Sequence, residues 1–392
     1  MISTSSRVDN IGVSASISIT SKAIAMREKG IDVISLSVGE PDVSMPKAVT
    51  EEAIRALNKG LTKYTQVDGI TELKVQIQKK LDLENGLKYD LNEIIVGSGA
   101  KQIIFNAIMA FVNPGDEVII PAPYWVSYPE MVRFAQGEPK VIEGSEENNF
   151  KIKPKDLEKA ISKKTKAIFL NSPSNPTGSV YTKEELIQIG NVLKDKQLLI
   201  ISDEIYEKII YDSEKHYSIA SLCPFLKDNT LVVNGLSKAY SMTGMRIGYG
   251  AALKEVINPL KKIQSHSTSN ANSIAQYASV AAFESCEEFH ENLAKLFNER
   301  RDFMFNRLEE IGGFNVKKPK GAFYFFPNIE YYLNNGFKSD IDFCDFLLEK
   351  AQVAIVPGSA FGSSLNVRFS YATDIKVLEK ALNRIEKAVK TI

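Results

Sequence analysis

From about residue 90 onward, short apolar runs alternate with polar turns and with segments whose apolar positions recur at helical spacing. Several of these runs are uninterrupted, which is typical of strands buried on both faces of a parallel sheet. The pattern predicts strands at 94–96, 118–120, 140–142, 167–170, 198–202 and 231–233. This repeated strand–turn–helix order predicts an α/β fold, with a mostly parallel sheet sandwiched by helices.

The chain on either side of this region has a different pattern. Its predicted elements are a strand at 31–38, helices at 46–58 and 71–84, a long helix at 287–311, antiparallel strands at 321–327 and 366–370, and helices at 340–352 and 374–390. A chain of 392 residues favours two domains. We expect a large domain at 46–286 and a small α+β domain at 287–392, with residues 1–45 forming an N-terminal arm and part of the small domain.

Composition excludes some classes of function. The 48 basic residues balance the 48 acidic ones, which gives no sign of nucleic-acid or membrane partners. The N-terminus lacks the apolar core of a secretory signal, which favours a cytoplasmic protein. The cysteines and histidines show no disulfide framework and no metal-ligand spacing: Cys223, Cys286, Cys344, His216, His266 and His290.

The segment 234–250 carries the first candidate chemistry. It follows a predicted buried strand, and Lys238 lies among its small and polar residues. Desolvation lowers the pKa of a lysine, and a neutral amine is a nucleophile that forms Schiff bases. The alternative for Lys238 is a solvated loop lysine.

Other strand ends also carry unusual residues. Gly99, Ala100 and Lys101 suit a phosphate at a helix N-terminus, although a tight turn alone explains them equally well. Trp125, the only tryptophan, is suited to stacking on a planar ligand, and the alternative is an ordinary core tryptophan. Asn175 lies in a Pro- and Gly-rich loop that is either a rigid polar anchor or simply a turn.

Three further residues complete the set. Asp203 ends an apolar strand and needs a cationic partner, unless it caps a helix. Tyr206 would lie one helical turn further on and reach the same ligand. Arg368 alternates with apolar neighbours and suits a carboxylate, unless it faces solvent. Together these residues form the set that pyridoxal 5'-phosphate needs when it processes an amino acid.

The motifs SVGEPD, KYT, GSGAKQ, PYWVSYPEM, NSPSNPTG, SDEIYE, SKAYSMTGMR and NVRFSYA occur in this order along nearly the whole chain. In this respect the chain resembles a class I pyridoxal-phosphate-dependent aminotransferase of fold type I, and most closely the bacterial aspartate aminotransferase subgroup. The resemblance implies a homodimer with shared active sites, amino-acid and 2-oxo-acid substrates, and Tyr64 reaching the cofactor phosphate of the neighbouring subunit.

The resemblance also implies a role for each matching residue. Lys238 would carry the cofactor as a Schiff base and move the proton, Asp203 would pair with the ring nitrogen, and Trp125 would stack on the ring. The residues implied at the phenolic oxygen are Asn175 and Tyr206, those at the phosphate are Gly99, Ala100, Lys101 and Arg246, and those at the substrate α-carboxylate are Arg368, Gly39, Asn175 and Trp125. Ser237 would either touch the phosphate or pack the turn.

Substrate choice depends on fewer residues. In the subgroup resembled, a lysine at the position of Lys101, with help from Ser16, favours aspartate and glutamate. Relatives that also accept prephenate carry a lysine where this chain has Gly12, which argues against prephenate. Met245 and Gly235 also depart from the family pattern, at positions of Trp and Ser elsewhere, and neither is expected to abolish cofactor binding.

Three alternatives stay open at this point. An aromatic or kynurenine-type aminotransferase would use the same cofactor residues. A β- or γ-lyase would use the same lysine but eliminate a leaving group. A non-catalytic ligand sensor would retain the fold, but the sequence carries no DNA-binding extension.

Overall fold

The computed structural model describes residues 2–12 and 15–392, with the side chains of residues 13–18, 20 and 287 outside the description. The strands of the described residues are β1 Ile34–Ser35, β2 Ile94–Ser98, β3 Glu117–Ala122, β4 Glu138–Glu143, β5 Thr165–Asn171, β6 Leu199–Asp203, β7 Thr230–Gly235, β8 Ile247–Ala251, β9 Tyr324–Phe325, β10 Val353–Ala354, β11 Val356–Pro357 and β12 Val367–Ser370.

The α-helices of the same residues are α1 Ser6–Asp9, α2 Ala15–Glu28, α3 Lys47–Asn58, α4 Thr71–Asn85, α5 Ala100–Phe111, α6 Ser127–Phe134, α7 Pro154–Ala160, α8 Lys183–Leu193, α9 Ile219–Leu222, α10 Leu236–Ala239, α11 Lys254–Ser265, α12 Ser273–Ser285, α13 Glu287–Ile311, α14 Glu330–Asn334, α15 Asp340–Phe346 and α16 Ile375–Val389. Their ends follow local chemistry. Helix α3 begins directly after Pro46, and α4 ends at Gly86, whose left-handed backbone (φ 65°) caps the last turn.

A seven-stranded sheet forms the centre, in the order β2-β8-β7-β6-β5-β3-β4. The strands from β7 to β4 are parallel, whereas β8 runs antiparallel to both β2 and β7. The sheet is therefore mostly parallel, as predicted. The predicted pattern did not include β8, and its small residues Gly248 and Gly250 explain why its apolar signal is weak.

The central strands are buried on both faces. In β7, Leu231 and Val233 pack into one apolar cluster and Val232 packs into another on the opposite face. This alternation is the period of two expected for a strand between two layers of helices. The ends of the central strands coincide, since Asn171 pairs with Asp203 and Asp203 pairs with Val233. Three strands thus present their carboxyl ends at one edge.

A second core lies around two smaller sheets, an antiparallel β11-β12-β9 sheet and a parallel β1-β10 pair. The antiparallel pairing of β9 with β12 confirms the strands predicted there. The strand predicted at 31–38 is shorter, because only Ile34–Ser35 pair with β10 and residues 37–39 line a cavity instead. Helix 340–352 is α-helical only to Phe346, after which Leu347–Ala351 form a π-helix.

A search of the helices of the described residues finds none that is long and apolar enough to cross a membrane.

Candidate active site

A cavity of about 570 Å³ opens at the carboxyl ends of β5, β6 and β7, the edge at which open α/β sheets bind ligands. The sequence-predicted residues that line it are Gly39, Ala100, Lys101, Trp125, Asn175, Asp203, Tyr206, Ser237, Lys238, Arg246 and Arg368. These residues come from distant parts of the chain. The folding of the chain therefore brings most of the predicted set into one place.

Three predicted residues are placed differently. Gly99 lies beside the cavity, against the guanidinium of Arg246. Tyr64 is 91% exposed on the surface, outside the cavity lining of its own chain. The side chain of Ser16 lies outside the described residues, although Ser21 and Ile24 of the same helix line the cavity.

Lys238 lies in the short helix α10, directly after strand β7. Its Nζ donates a hydrogen bond of 2.5 Å to the carbonyl oxygen of Gly39. Burial lowers the pKa of Lys238 to about 8, with Glu40 opposing this shift and the charges of Arg368 and Arg246 adding to it. Roughly one-tenth of this amine is therefore neutral and nucleophilic at pH 7, far more than for an ordinary lysine.

Gly235 allows α10 to leave the sheet at this point. A Cβ at position 235 would lie 2.9 Å from the Cα of Gly248, closer than packed atoms tolerate. The structure therefore has no room for the serine that other branches of the family place there.

Asp203 lies at the end of β6 and is buried. It accepts hydrogen bonds from the hydroxyl of Tyr128 (2.6 Å) and the N–H of Ile205 (3.3 Å). Burial raises the pKa of Asp203 to about 6, although the Tyr128 hydrogen bond opposes this. A buried carboxylate with only neutral hydrogen-bond donors suits a cationic ligand group, such as a protonated ring nitrogen.

The sequence analysis missed Tyr128, and a signal for it was present. Tyr128 lies three residues after Trp125, a spacing that places two side chains on one side of a helix. The two rings are 5.3 Å apart in an edge-to-face arrangement, and Tyr128 also stacks on Phe169 at 4.2 Å. Tyr128 is therefore locked in place beneath the cavity.

The residues after Asp203 were expected to form a helix, and this was wrong. They form a turn in which the N–H of Glu204 donates to the carbonyl of Val233. Tyr206 still reaches the cavity, where its hydroxyl lies 2.8 Å from that of Tyr324. Sequence reasoning also missed Tyr324, which comes from the second core.

Arg368 is buried within β12, and its guanidinium meets only neutral acceptors among the described residues. Its Nη1 donates to Oδ1 of Asn175 at 3.0 Å, and its Nη2 donates to the carbonyl of Ser37 at 2.5 Å. The ring of Tyr324 lies 4.5 Å from its Cζ. Its Nε has no hydrogen-bond partner in the described part of the chain. Burial lowers the pKa of Arg368 because it destabilises the charged guanidinium. An anion that enters the cavity would offset this cost by pairing with the charge.

A second cationic region lies at the N-terminus of α5. Gly99 has a left-handed backbone (φ 84°), and a Cβ there would lie 2.6 Å from Nη2 of Arg246. Arg246 donates to the carbonyls of Ser98 (3.1 Å) and Thr243 (3.0 Å). The first N–H groups of a helix lack partners within the helix. Together with Arg246 they form a site suited to a phosphate.

Lys101 lies between this region and Trp125, with its Nζ 4.9 Å from the centre of the indole ring. Burial by surrounding atoms, and then the charge of Arg246, lower the pKa of Lys101. Ser237 is buried and also lines the cavity.

The chemistry of these residues fits pyridoxal 5'-phosphate. The cavity lining offers a helix N-terminus with Arg246 that suits a phosphate, a buried carboxylate that suits a protonated ring nitrogen, an amine of lowered pKa and a flat indole. The guanidinium of Arg368 lines the same cavity, and its planar fork suits a carboxylate. The volume lies within the range usual for small-molecule sites.

The family profile described as "Aminotransferase class I and II" matches residues 31–385. An aspartate aminotransferase of Bacillus subtilis (strain 168) is 47% identical over 384 residues, covering 98% of each chain. A probable aspartate/prephenate aminotransferase of Rickettsia conorii is 45% identical over 395 residues, covering 99% of this chain and 98% of the relative.

The fold agrees with these relatives. The crystal structure of an aspartate aminotransferase from Rhizobium meliloti superposes with a TM-score of 0.96 at 44% identity, covering 100% of this chain and 99% of the other. The resemblance found in the sequence motifs is thereby confirmed. The chain belongs to the class I and II aminotransferases, a family whose cofactor is pyridoxal 5'-phosphate.

Proposed function

We propose that this protein transfers the amino group between aspartate or glutamate and a 2-oxo acid, oxaloacetate or 2-oxoglutarate. The observation that carries the proposal is the presence of two cations, Arg368 and Lys101, in the cavity that also holds Lys238. Arg368 is buried with no carboxylate partner among the described residues, and Lys101 lines the same cavity. Two cations suit a substrate with two carboxylates, and the similarity to aspartate aminotransferases supports this substrate class.

Bound pyridoxal 5'-phosphate supplies an electron sink for the charge that develops at the substrate Cα. Lys238 would hold the cofactor covalently through Nζ and, once released by the substrate amine, take the Cα proton. An amine whose pKa is about 8 is suited to this general-base role near neutral pH.

Other residues would orient the cofactor and the substrate. Asp203 would hold the ring nitrogen protonated, and Asn175 and Tyr206 would hydrogen-bond the phenolic oxygen. Trp125 would cover one ring face.

The two anionic ends of the cofactor and substrate would be bound separately. The phosphate would be bound by Arg246 and by the backbone around Gly99, Ala100 and Lys101. Arg368 would bind the α-carboxylate, helped by Gly39 and Asn175. Ser237 would either contact the phosphate or pack within the turn.

We propose that Lys101 recognises the distal carboxylate, with Ser16 as the predicted helper. We do not propose prephenate as a substrate, although the name of the Rickettsia conorii relative includes it. Gly12 offers no side-chain cation, and its N–H donates to Glu130 at 2.7 Å. An aromatic or kynurenine-type specificity stays the runner-up.

We also propose a homodimer in which Tyr64 contacts the cofactor of the neighbouring subunit. Its exposure supports this role, as does the anchoring of its loop. Gln276 donates to Oγ1 of Thr65 at 3.1 Å, and Gln264 donates to the carbonyl of Val67 at 2.6 Å. Mixing Lys238→Ala with Tyr64→Ala chains tests shared sites: hybrid dimers should regain activity, and no recovery would contradict sharing.

The division into domains at 1–45, 46–286 and 287–392 is likewise proposed. The second core, which packs residues 293–389 with parts of 19–36, supports it. That core also takes in Ile205, Tyr206, Ile209 and Tyr211, so the small domain would rest on the turn after Asp203. The cytoplasmic location stays a prediction.

Single-turnover kinetics of the cofactor-loaded protein test the proposed substrates. Aspartate and glutamate should react faster than phenylalanine, kynurenine or alanine. Aspartate added without a 2-oxo acid should give stoichiometric oxaloacetate. Faster reaction with phenylalanine or kynurenine would support the runner-up instead. Release of ammonia with continued turnover would indicate a lyase.

A further inference from the structure

The turn at residues 204–207 has two sides. Asp203 and Tyr206, on one side, line the cavity. Glu204 and Glu207, on the other, lie outside the cavity lining among buried polar groups. The N–H of Glu207 donates to the carbonyl of Glu204 at 3.0 Å, which closes the turn. Whatever holds the two glutamates therefore also fixes the two residues that face the cofactor site.

Glu204 is held at both carboxylate oxygens. Its Oε1 accepts from the hydroxyls of Ser202 (2.8 Å) and Ser218 (2.7 Å), and its Oε2 lies 2.9 Å from Nε2 of His216. Because a carboxylate only accepts, Nε2 of His216 carries a hydrogen in this contact.

Glu207 is held by a different set. It pairs with the buried ammonium of Lys80, and its Oε2 accepts from Nδ2 of Asn85 at 3.0 Å. Nε2 of His216 is 3.9 Å from the same oxygen. Burial opposes ionisation, but Lys80 and then His216 lower the pKa of Glu207 to about 2.

The charges of this cluster balance when His216 is protonated. Burial disfavours the imidazolium, but Glu204 and then Glu207 outweigh it and raise the pKa of His216. Nδ1 of His216 has no hydrogen-bond partner among the described residues. The other ionisable groups around the cluster are Glu84, Lys208, Tyr89, Tyr240, Tyr249 and His290.

The ligand-type atoms of Glu204, Glu207 and His216 lie within 4.8 Å of one another, a spacing that also occurs at metal sites. Here Lys80 supplies a cation within the cluster, and hydroxyl and amide donors engage the remaining oxygens. Each carboxylate oxygen of the two glutamates is therefore engaged by a donor, and a hydrogen-bond network of this kind rigidifies what it contacts.

We propose that Lys80, Glu204, Glu207 and His216 form a positioning network that holds the 203–207 turn from behind and so fixes Asp203 and Tyr206 toward the cofactor. This inference rests on the cofactor site proposed above. None of the four residues touches the cofactor in this account. They act through the turn, so they are positioning residues.

The test compares variants of the network with a matched control. Glu204→Gln removes the charge and keeps the shape, His216→Gln removes the imidazole, and Ser218→Ala is a milder change that removes one donor. Asp212→Asn is the control. It also replaces a carboxylate that faces a buried cation, Arg301, but Asp212 lies outside the cavity lining.

Three readouts are measured for each protein: the dissociation constant of pyridoxal 5'-phosphate from the apo-protein, the pH midpoint of the visible absorption change of the loaded protein, and the thermal unfolding of the apo-protein. Glu204→Gln and His216→Gln should weaken cofactor binding by at least tenfold, about the scale of one lost charge-assisted hydrogen bond. They should also shift the pH midpoint. Ser218→Ala should weaken binding by roughly threefold, and Asp212→Asn should leave both readouts unchanged.

Network variants that lose thermal stability but bind the cofactor as wild type does, with an unchanged pH midpoint, would overturn the inference. If the larger changes prevent folding, an unchanged dissociation constant in Ser218→Ala would overturn it. Wild-type apo-protein that fails to bind the cofactor would overturn the proposed function itself. That result differs from the one that overturns only the network, in which wild type binds the cofactor and the variants bind it equally well.

Discussion

The hydrogen bond from Tyr128 to Asp203 offers a sharp test of the site. The two side chains meet at 2.6 Å beneath the cavity, and Tyr128 is fixed by stacking on Phe169. Tyr128→Phe removes only the hydroxyl and keeps the ring. Asp203 would then lose the strongest of the contacts that favour its ionised form.

The size of the effect follows from the pKa of Asp203. With a pKa of about 6, roughly nine-tenths of this carboxyl is ionised at pH 7. A hydrogen bond to a charged group contributes about 1.5–3 kcal/mol, so its loss raises the pKa by about one unit or more. The protonated carboxyl cannot pair with a cationic ring nitrogen. As the pH is lowered, cofactor affinity should therefore begin to fall at a higher pH in Tyr128→Phe than in wild type.

Fluorescence of Trp125, the only tryptophan, provides the assay because its ring lines the cavity. Apo-protein is titrated with pyridoxal 5'-phosphate between about pH 5 and 9, and the affinity midpoint of Tyr128→Phe should lie about one pH unit above that of wild type. Tyr181→Phe is the matched control, since the buried hydroxyl of Tyr181 bonds Ile152 instead. Coincident profiles for Tyr128→Phe and wild type would show that the Tyr128 hydroxyl does not control the ionisation of Asp203.

Three other predictions concern separate parts of the site. Arg368→Leu should lower kcat/KM roughly 100-fold for dicarboxylic and neutral amino acids alike, and an effect confined to aspartate would contradict its role at the α-carboxylate. Gly39→Ala should lower kcat/KM about tenfold, because a Cβ there would lie 2.0 Å from the hydroxyl of Tyr324. Gly244→Ala has open space around it and should leave kcat/KM unchanged. Equal effects of the two substitutions would contradict the role of this contact. Lys238→Met should stabilise the apo-protein at pH 7 by roughly 3 kcal/mol in denaturant unfolding. Because the pKa of Lys238 falls from 10.5 to about 8 on folding, its burial costs stability progressively as the pH falls from about 10.5 to about 8, and fully below that. A variant with no gain in stability at pH 7 would contradict this burial.

The sequence predicted the parallel strands well because strands buried on both faces leave uninterrupted apolar runs. It predicted much of the cavity lining for a related reason. The carboxyl ends of parallel strands meet at one edge, so Asn175, Asp203 and Lys238 had to lie near one another. The antiparallel β8 was missed because its glycines weaken the apolar pattern.

Contacts between distant segments were beyond the sequence pattern. Arg368 bonds Asn175 across 193 positions, and Tyr206 meets Tyr324 across 118. Such pairs depend on how the second core docks against the sheet, which no local periodicity encodes. The buried network behind Asp203 is similar, because Lys80 and His216 carry no local signal of their contact with the glutamates.

Lys238 is the residue that we propose holds the cofactor and takes the substrate's Cα proton. Borohydride reduction of the loaded protein, followed by peptide mass mapping, tests this role directly. We expect one cofactor per chain, attached to the peptide that contains Lys238. The Lys238→Ala variant should have a native circular dichroism spectrum, no adduct and no turnover. Attachment to another cavity lysine such as Lys101, or full turnover by Lys238→Ala, would contradict this role.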